Sequence, residues 1–573
     1  MAITWANILE WQTGPLDEIA QTLFEASQGL REAYEMGQDD LNALQSEGEA
    51  VTAMRATTIS NLASLERALT NVNGALMAIE GARDGVGDVL AQANDVLAEA
   101  ATKQCEIDAG GSVQPMASAP KTDLILIDAF ALATRVKEIL ERADQVDTDL
   151  YHALQDINND RYTDGERANN KVVGVPDLPQ PNWSPSQNAA WWNSLTYEQQ
   201  QFLIDRRPDD IRHLDGLPAV ARDKANHHAL HGYLHADGKY RQGALKDAEE
   251  EAIEAQKEFD KAPLDGKCHL AKERLDRATE ALEDLIAIDT QTDDMTRRRK
   301  GLSPAYLLDF DYDKKYQRTT AIVSSGNPDT ATRVSTLVPG IGTNVRGDLG
   351  YYMEFNERLR KQTAHAGIDP NSVATISYLG YVAPKNSIPD GGIIQAADIG
   401  YANRAAPKLA QFEEGLRASA NANGHAFINT LLTHSYGSTT GGKSATIMAP
   451  GTVDRLILTG SPGGGVDSID EYSVPKEHIY VSAVPEGDSV EGLGAVIEYG
   501  KDPRKLEGIT HLSGDATDSA EYTPYPNRIF SIANHMSYFH EGTRTSQDFA
   551  NIVAGGNPTT DEEWAAIQKE RGK

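Results

Sequence analysis

Residues 433–444 read THSYGSTTGGKS and directly follow an apolar run, residues 427–432 (FINTLL), which predicts a buried strand. Two motifs overlap here. Residues 433–437 match the nucleophile elbow G-x-S-x-G, except that Thr433 replaces the first glycine, and residues 437–444 match the phosphate-binding loop G-x-x-x-x-G-K-[ST]. An elbow requires a helix that begins near Tyr436, whereas a phosphate loop requires extended backbone at the same place, so the segment can form only one of them.

The phosphate-loop interpretation predicts an ATPase in which Lys443 contacts the terminal phosphates. It also needs an acidic residue at the end of another apolar strand, to help hold magnesium. Asp128 follows the apolar run 124–127, but that run continues into a helical pattern. The apolar run 456–458 continues into Thr-Gly-Ser without an acid. The ATPase therefore remains as an alternative to the elbow.

The elbow interpretation needs an acid and then a histidine, each after a later strand. Residues 478–484 (HIYVSAV) predict a strand followed by a turn that presents Asp488, and residues 528–533 (RIFSIA) predict a short strand that leads to His535. We therefore expect a triad in which Ser435 is the nucleophile, Asp488 the acid and His535 the base. The chain also offers alternative acids and histidines, namely Asp467, Asp470, His511 and His540.

A serine nucleophile also needs two N–H groups to stabilise the oxyanion that forms when a carbonyl is attacked. The residue after the nucleophile, Tyr436, supplies one backbone amide. The apolar run 334–338 ends in Pro-Gly-Ile-Gly, so we expect the amide of Ile341 to be the second donor. This chemistry requires no cofactor and no metal.

The composition restricts the class of protein. The 573 residues exceed a single hydrophobic core, and the net charge of −32 argues against nucleic acid or an anionic membrane as a partner. The two cysteines, Cys105 and Cys268, are too few for a disulfide framework or a thiolate metal cluster. No apolar run is long enough for a transmembrane segment, and the N-terminus lacks the basic start and apolar core of a signal peptide, so we expect a cytoplasmic protein.

Four regions follow from the residue patterns. Apolar residues at three- and four-residue spacing predict a helical bundle over residues 1–157. Residues 158–243 form a connecting segment, and two charged helical stretches within 244–300 predict a helical hairpin. Residues 301–573 hold the predicted strands and both overlapping motifs.

From Leu302 onward the chain closely resembles an actinobacterial α/β-hydrolase family that was long described as a domain of unknown function. The stretches that carry the resemblance include 306–310 (YLLDF), 337–340 (LVPG), 374–381 (ATISYLGY), 434–438 (HSYGS), 458–463 (LTGSPG) and 534–538 (NHMSY). The resemblance implies an α/β-hydrolase fold, a mostly parallel sheet flanked by helices, and a triad of Ser435, Asp488 and His535. The resemblance does not fix the substrate, which we expect to be a small-molecule or lipid ester. Thr433 and Lys443 depart from the family pattern.

The N-terminal helices resemble the WXG-type helical hairpins that pass through type VII secretion, which implies export by a type VII-like route. The signature turn reads Ser46-Glu47-Gly48 and lacks its tryptophan. The alternative is a scaffold or dimerisation arm that binds a helical-bundle protein or a second copy of the chain. In that case the protein would be an interaction or toxin-type protein, and the hydrolase-like domain a binding module.

Overall fold

The structure is a computed structural model that describes residues 3–43, 49–120, 122–158, 178–262, 266–385, 398–484, 499–517 and 532–571. The chain divides into two compact units, Met1–Gln200 and Gln201–Lys573. In the described residues, no helix has the length and apolar character needed to span a bilayer.

The first unit is mainly helical. Its helices are α1 (Trp5–Leu9), α2 (Gly14–Ala43), α3 (Glu49–Thr102), α4 (Asp123–Asn158) and α5 (Pro185–Ser194), and α6 (Tyr197–Arg206) begins at its end. Between α3 and α4 lies an antiparallel hairpin that the sequence did not predict, formed by β1 (Cys105–Ile107) and β2 (Val113–Pro115).

The long helices of this unit pack in antiparallel fashion, as the periodicity predicts. Between α2 and α3, the Ser27 hydroxyl donates to Asn73 at 2.6 Å, and Arg83 pairs with Asp17 at 3.7 Å. From Asp17 to Ser27 along α2, the contacted residues on α3 run backwards from Arg83 to Asn73, so the two helices are antiparallel. The turn 46–48, on which the WXG-type resemblance depends, lies outside the described residues.

The second unit contains an eight-stranded sheet and the helices that cover it. The strands of the sheet are β5 (Ala305–Asp313), β6 (Arg318–Ser325), β7 (Arg333–Val338), β8 (Val373–Leu379), β9 (Ile428–His434), β10 (Arg455–Thr459), β11 (Ile479–Ser482) and β12 (Thr510–His511). A separate small hairpin pairs β3 (Gly232–Leu234) with β4 (Tyr240–Gln242). The helices of this unit are α7 (Ala219–His231), α8 (Ala244–Lys261), α9 (Gly266–Thr292), α10 (Asp294–Arg299), α11 (Val345–Gln362), α12 (Gly400–Ala422), α13 (Tyr436–Ile447), α14 (Ile532–Met536), α15 (Arg544–Val553) and α16 (Asp561–Glu570).

The strand order across the sheet is β12-β11-β10-β9-β7-β8-β6-β5. Strand β6 runs antiparallel to β5 and β8, and every other pairing is parallel. The carboxyl ends of the parallel strands therefore meet at one edge of the sheet, where ligand sites of such sheets form. This mostly parallel sheet flanked by helices is the α/β-hydrolase fold that the sequence predicts.

Both faces of the central strands are buried, as a parallel sheet covered by helices requires. Successive side chains point to opposite faces, so Leu431 joins one core cluster and Leu432 the other. Helices α12 and α13 contribute Leu409, Phe412 and Ala445 to the first cluster, while α11 and α15 contribute to the second. The apolar run before Thr433 is thus continuous because it packs on two sides.

The strand predicted over residues 528–533 is wrong where the structure describes it. Ile532 begins helix α14, and residues 528–531 lie outside the described residues. The edge of the sheet is instead formed by β12, which pairs with β11 through only two residues. A strand of two residues has no periodicity, so the sequence pattern could not reveal it.

Glu413 is a fully buried carboxyl group on α12. Its Oε2 accepts a hydrogen bond from the side-chain amide of Asn429, at 2.8 Å. Burial nevertheless raises the pKa of Glu413 to about 7, because desolvation penalises the charged form more than this bond favours it. The folded protein therefore holds a proton on Glu413 at a pH where the unfolded chain has lost it.

We predict that Glu413→Gln changes how stability depends on pH. Between the ordinary pKa of 4.5 and the folded value of about 7, the folded wild type binds more protons than the unfolded chain, so its free energy of unfolding falls as pH rises. Glutamine does not titrate, so the free energy of unfolding of the variant does not fall for this reason. Urea denaturation measures the difference in free energy of unfolding between the variant and the wild type. This difference should shift in favour of the variant by roughly 3 kcal/mol between about pH 5 and about pH 8. The control Glu507→Gln changes an exposed glutamate and should show no such pH-dependent shift relative to the wild type. An equal shift in both variants would contradict the raised pKa of Glu413.

Candidate active site

Ser435 lies at the junction between β9 and α13, in a backbone conformation that is rare for a residue with a side chain. Its φ is 57° and its ψ is −130°, and its side chain is 4% exposed. Such a conformation costs on the order of 1–3 kcal/mol and persists only where the surrounding structure enforces it. Strand thus turns directly into helix at the serine, which is the geometry of a nucleophile elbow.

Hydrogen bonds to strand β10 and within α13 enforce this conformation. The Ser435 amide donates to the carbonyl of Thr459 at 2.9 Å, and the Ser438 amide donates to the Ser435 carbonyl at 2.9 Å. Two residues earlier on each strand, the Thr433 hydroxyl donates to the carbonyl of Ile457 at 2.8 Å. The backbone on both sides of Ser435 is therefore fixed.

The glycines of the motif allow helix α13 to approach neighbouring backbone closely. A Cβ atom at Gly437 would overlap the carbonyl oxygen of Val338, and one at Gly442 would overlap that of Gly464. Close packing of the helix therefore accounts for both glycines without a bound phosphate. Because residues 437–444 are helical, they form no extended amide loop, and the phosphate-loop interpretation is wrong.

Thr433 is accommodated by Gly441, one turn into the helix. A Cβ atom at Gly441 would lie well inside contact distance of the Thr433 methyl group. The side chain that replaces the first glycine of the elbow thus occupies the space left by another glycine. This pairing explains why the departure at Thr433 does not prevent the elbow from forming.

The loop after β7 lies against Ser435. A Cβ atom at Gly340 would be 2.5 Å from the Ser435 Cβ and 2.8 Å from its Oγ, so only glycine fits here. The backbone amide of the next residue, Ile341, is the predicted oxyanion donor. The other donor, the amide of Tyr436, is the first of α13 and has no acceptor within the helix.

Side chains fix this loop, the predicted oxyanion loop, from several directions. The Tyr381 hydroxyl donates to the carbonyl of Pro339, and the Thr343 hydroxyl donates to that of Gly340 at 2.9 Å. The guanidinium of Arg318 donates to the carbonyl of Thr343 at 2.6 Å. The protein's own side chains thus hold the loop in place, which is what electrostatic stabilisation of an oxyanion requires.

His535 lies on α14 and is packed against the elbow through His434. The Nε2 of His434 donates to the carbonyl of His535 at 2.8 Å, and because a carbonyl only accepts, this nitrogen carries the proton. The centroids of the two imidazole rings are 4.5 Å apart. Both side chains are buried. The structure thus brings His535 to the residue that precedes Ser435.

The sequence did not single out His434. Its imidazole also packs against Phe539, with ring centroids 4.7 Å apart, so it joins the end of β9 to the segment that follows α14. The available signal was a polar residue at the end of an otherwise apolar buried strand. Such a residue needs a hydrogen-bond partner, but a sequence does not say which.

The alternative histidines and acids differ from the predicted ones in their surroundings. His511 lies on β12, three strand spacings or about 14 Å across the sheet from β9. Asp467 is exposed, and Asp470 is exposed and pairs with Lys476. His540 is partly exposed. Asp488 lies outside the described residues.

The part of the chain that the structure describes contains no group of three His, Cys, Asp or Glu side chains that could hold a metal ion. The described site itself brings together a serine hydroxyl, the backbone of a histidine segment and the two backbone amides predicted as oxyanion donors. These are the components of acyl transfer through a covalent intermediate.

Comparison with known proteins agrees with this geometry. Residues 314–498 match the model of an alpha/beta hydrolase family. Two uncharacterized proteins from different strains of Mycobacterium tuberculosis are each 26% identical to the chain over 400 residues, which is 66% of the chain. The chain spans 57% of the length of these relatives. No solved structure matches it significantly.

The pairing of Thr433 with Gly441 predicts a coupled effect on stability. Gly441→Ala should lower the free energy of unfolding by about 1–3 kcal/mol, because the added methyl group meets the Thr433 methyl in a packed core. Thr433→Ser removes that methyl while it retains the hydroxyl that bonds Ile457. In the double variant the clash should be relieved.

Urea denaturation of the four proteins in this double-mutant cycle measures the coupling. We expect the double variant to be more stable than Gly441→Ala alone by about 1 kcal/mol or more. Strict additivity of the two single changes would show that the two side chains do not compete for the same space.

Proposed function

We propose that the protein is a serine hydrolase that cleaves ester bonds, with Ser435 as nucleophile, His535 as base and Asp488 as acid. The observation that carries the proposal is the strained backbone of Ser435 at the strand-to-helix junction, with Gly340 against its side chain. Strain at a buried serine is retained where it serves a function. The packing of His535 on the adjacent His434 supports the same assignment.

The assignment of Asp488 is supported by the surroundings of β11. This strand leads into the segment that contains Asp488, and the amide of Val484, at its end, donates to the hydroxyl of Tyr538 at 2.9 Å. Tyr538 follows His535 by three residues. The residues that follow β11 are therefore hydrogen-bonded to the segment that contains His535. An acid that orients the imidazole of His535 must come from a segment close to it.

The proposed reaction proceeds through an acyl-enzyme. His535 takes the proton of the Ser435 hydroxyl as the oxygen attacks the carbonyl carbon of the ester, and the carbonyl oxygen becomes negatively charged. The amides of Tyr436 and Ile341 donate to this oxygen. His535 then gives its proton to the leaving alcohol, and water, deprotonated by the same imidazole, releases the acid and restores Ser435.

The proposed substrate is a small-molecule or lipid ester. Two amides that stabilise the oxyanion and one imidazole that transfers the proton in both directions are sufficient to cleave an ester, whose leaving alcohol departs more readily than an amine. Short p-nitrophenyl esters report this reaction directly, since the leaving nitrophenolate absorbs visible light.

Ser435→Ala should abolish labelling by a fluorophosphonate probe, because the probe phosphorylates an activated serine and the variant has no hydroxyl there. The change removes one oxygen from a side chain that is already buried, so the fold should be unaffected. Ser444→Ala, which alters another buried serine of α13, is the matched control and should label like the wild type. Persistent labelling of the Ser435 variant would show that another residue is the nucleophile.

Asp488→Asn should lower kcat for a p-nitrophenyl ester by up to roughly 10,000-fold, because the amide no longer stabilises the protonated, correctly oriented imidazole. The exposed alternative acid is tested by Asp467→Asn, which should leave kcat within about twofold of the wild type. A large loss in the Asp467 variant together with an active Asp488 variant would reverse the assignment.

A further inference from the structure

Two cations and two tyrosines form a cluster beside the candidate active site. This cation–tyrosine cluster consists of Lys315 and Tyr316, in the turn between β5 and β6, and Tyr401 and Arg404, on the first turn of α12. The rings of the two tyrosines are 5.5 Å apart. The Arg404 guanidinium lies 4.9 Å from the Tyr401 ring and 5.4 Å from the Tyr316 ring, and the Lys315 ammonium lies 5.1 Å from the latter.

One side of the cluster is joined to the first oxyanion donor. The amide of Ala402, which follows Tyr401, donates to the hydroxyl of Tyr436 at 3.1 Å, and that hydroxyl donates to the carbonyl of Asp398 at 2.6 Å. Tyr436 therefore has two roles: its side chain binds the start of α12, and its backbone amide is the predicted oxyanion donor.

The other side of the cluster is joined to the second oxyanion donor. Arg318 follows Tyr316 by two residues, and its guanidinium donates to the carbonyl of Ala383 at 2.7 Å as well as to that of Thr343. Thr343 follows Ile341 by two residues in the oxyanion loop. The cluster therefore sits between two segments that each carry one donor, at the rim of the same site.

The cluster brings two cations together in a chain that has 85 acidic and 53 basic residues. Neither Lys315 nor Arg404 forms an ion pair with a carboxylate among the residues that the structure describes. The nearby Asp313 and Asp398 carboxylates accept hydrogen bonds from backbone amides of their own turns. Both cations are exposed, so they are available to a ligand.

We propose that the cation–tyrosine cluster binds an anionic group of the ester substrate, so that the enzyme prefers esters that carry a carboxylate or a phosphate. This inference rests on the proposed hydrolase function. The tyrosine rings hold both cations in place through cation–π contacts, which lowers the entropy lost when an anion binds. The planar guanidinium of Arg404 can bind a carboxylate or phosphate through two parallel N–H groups, while Lys315 adds a second charge.

The test compares two esters of similar size, p-nitrophenyl butyrate, which is neutral, and p-nitrophenyl hemisuccinate, which carries a carboxylate. The ratio of their kcat/KM values measures the preference for the anion in the full-length protein. In the double variant Lys315→Gln, Arg404→Gln, we expect the ratio of kcat/KM for the anionic ester to that for the neutral ester to fall about fivefold. Most of this fall should come from a higher KM for the anionic ester. Raising the salt concentration should reduce the wild-type ratio in the same direction.

Lys408→Gln is the matched control, since it removes one exposed cation from the next turn of α12. It should leave the ratio unchanged. An equal loss of kcat/KM for both esters in the double variant, or an unchanged ratio, would overturn the inference while Ser435-dependent turnover would still support the hydrolase.

If neither ester is hydrolysed, the proposed function fails, and binding then decides the inference by itself. Calorimetric titration of the Ser435→Ala protein with p-nitrophenyl hemisuccinate should show binding that weakens about fivefold when Lys315 and Arg404 are also changed to Gln. Equal dissociation constants with and without the two cations, or no binding to either protein, would overturn it.

Discussion

The conformation of Ser435 is the constraint on which the rest of the site depends. A non-glycine residue with φ of 57° is held there because its own amide and the hydroxyl of Thr433 are both bonded to strand β10. The helix that follows must then start at once and pass close to the loop after β7. This close passage requires glycine at 437, while glycines 441 and 442 make room for the Thr433 side chain and for the backbone of Gly464.

The same constraint positions the groups that surround the serine. The loop after β7 can lie on Ser435 because Gly340 has no side chain, and it is fixed by the hydroxyls of Tyr381 and Thr343. On the other side, His434 uses its ring to hold the backbone of His535. Each of these contacts is made within the protein, and the proposed mechanism needs such a fixed arrangement where charge develops on a carbonyl.

Much of this arrangement could be predicted from the sequence, because a parallel sheet buried on both faces leaves long apolar runs. The strands that lead to Ser435 and to the predicted oxyanion loop follow directly from residues 427–432 and 334–338. The residue pattern does not by itself decide between an elbow and a phosphate loop, because glycines serve close packing and phosphate binding equally well. That choice depends on where α13 begins, which is set by contacts with residues distant in sequence.

Other features depend on contacts that no local pattern records. The edge strand β12 is two residues long, and the segment before His535 has the alternation of a strand although Ile532 is already helical. The match between Thr433 and Gly441 and the cluster around Tyr316 and Tyr401 likewise arise only when separate elements meet. In each case tertiary packing overrides or completes the local signal.

The most direct measurement is a crystal structure of the protein after reaction with a fluorophosphonate. The proposed mechanism predicts a phosphorus atom bonded to the Ser435 Oγ, with a phosphoryl oxygen about 2.7–3.1 Å from the amide nitrogens of Tyr436 and Ile341. The Nε2 or Nδ1 of His535 should lie within hydrogen-bonding reach of the Ser435 Oγ. An adduct on another residue, or a phosphoryl oxygen directed away from both amides, would contradict it.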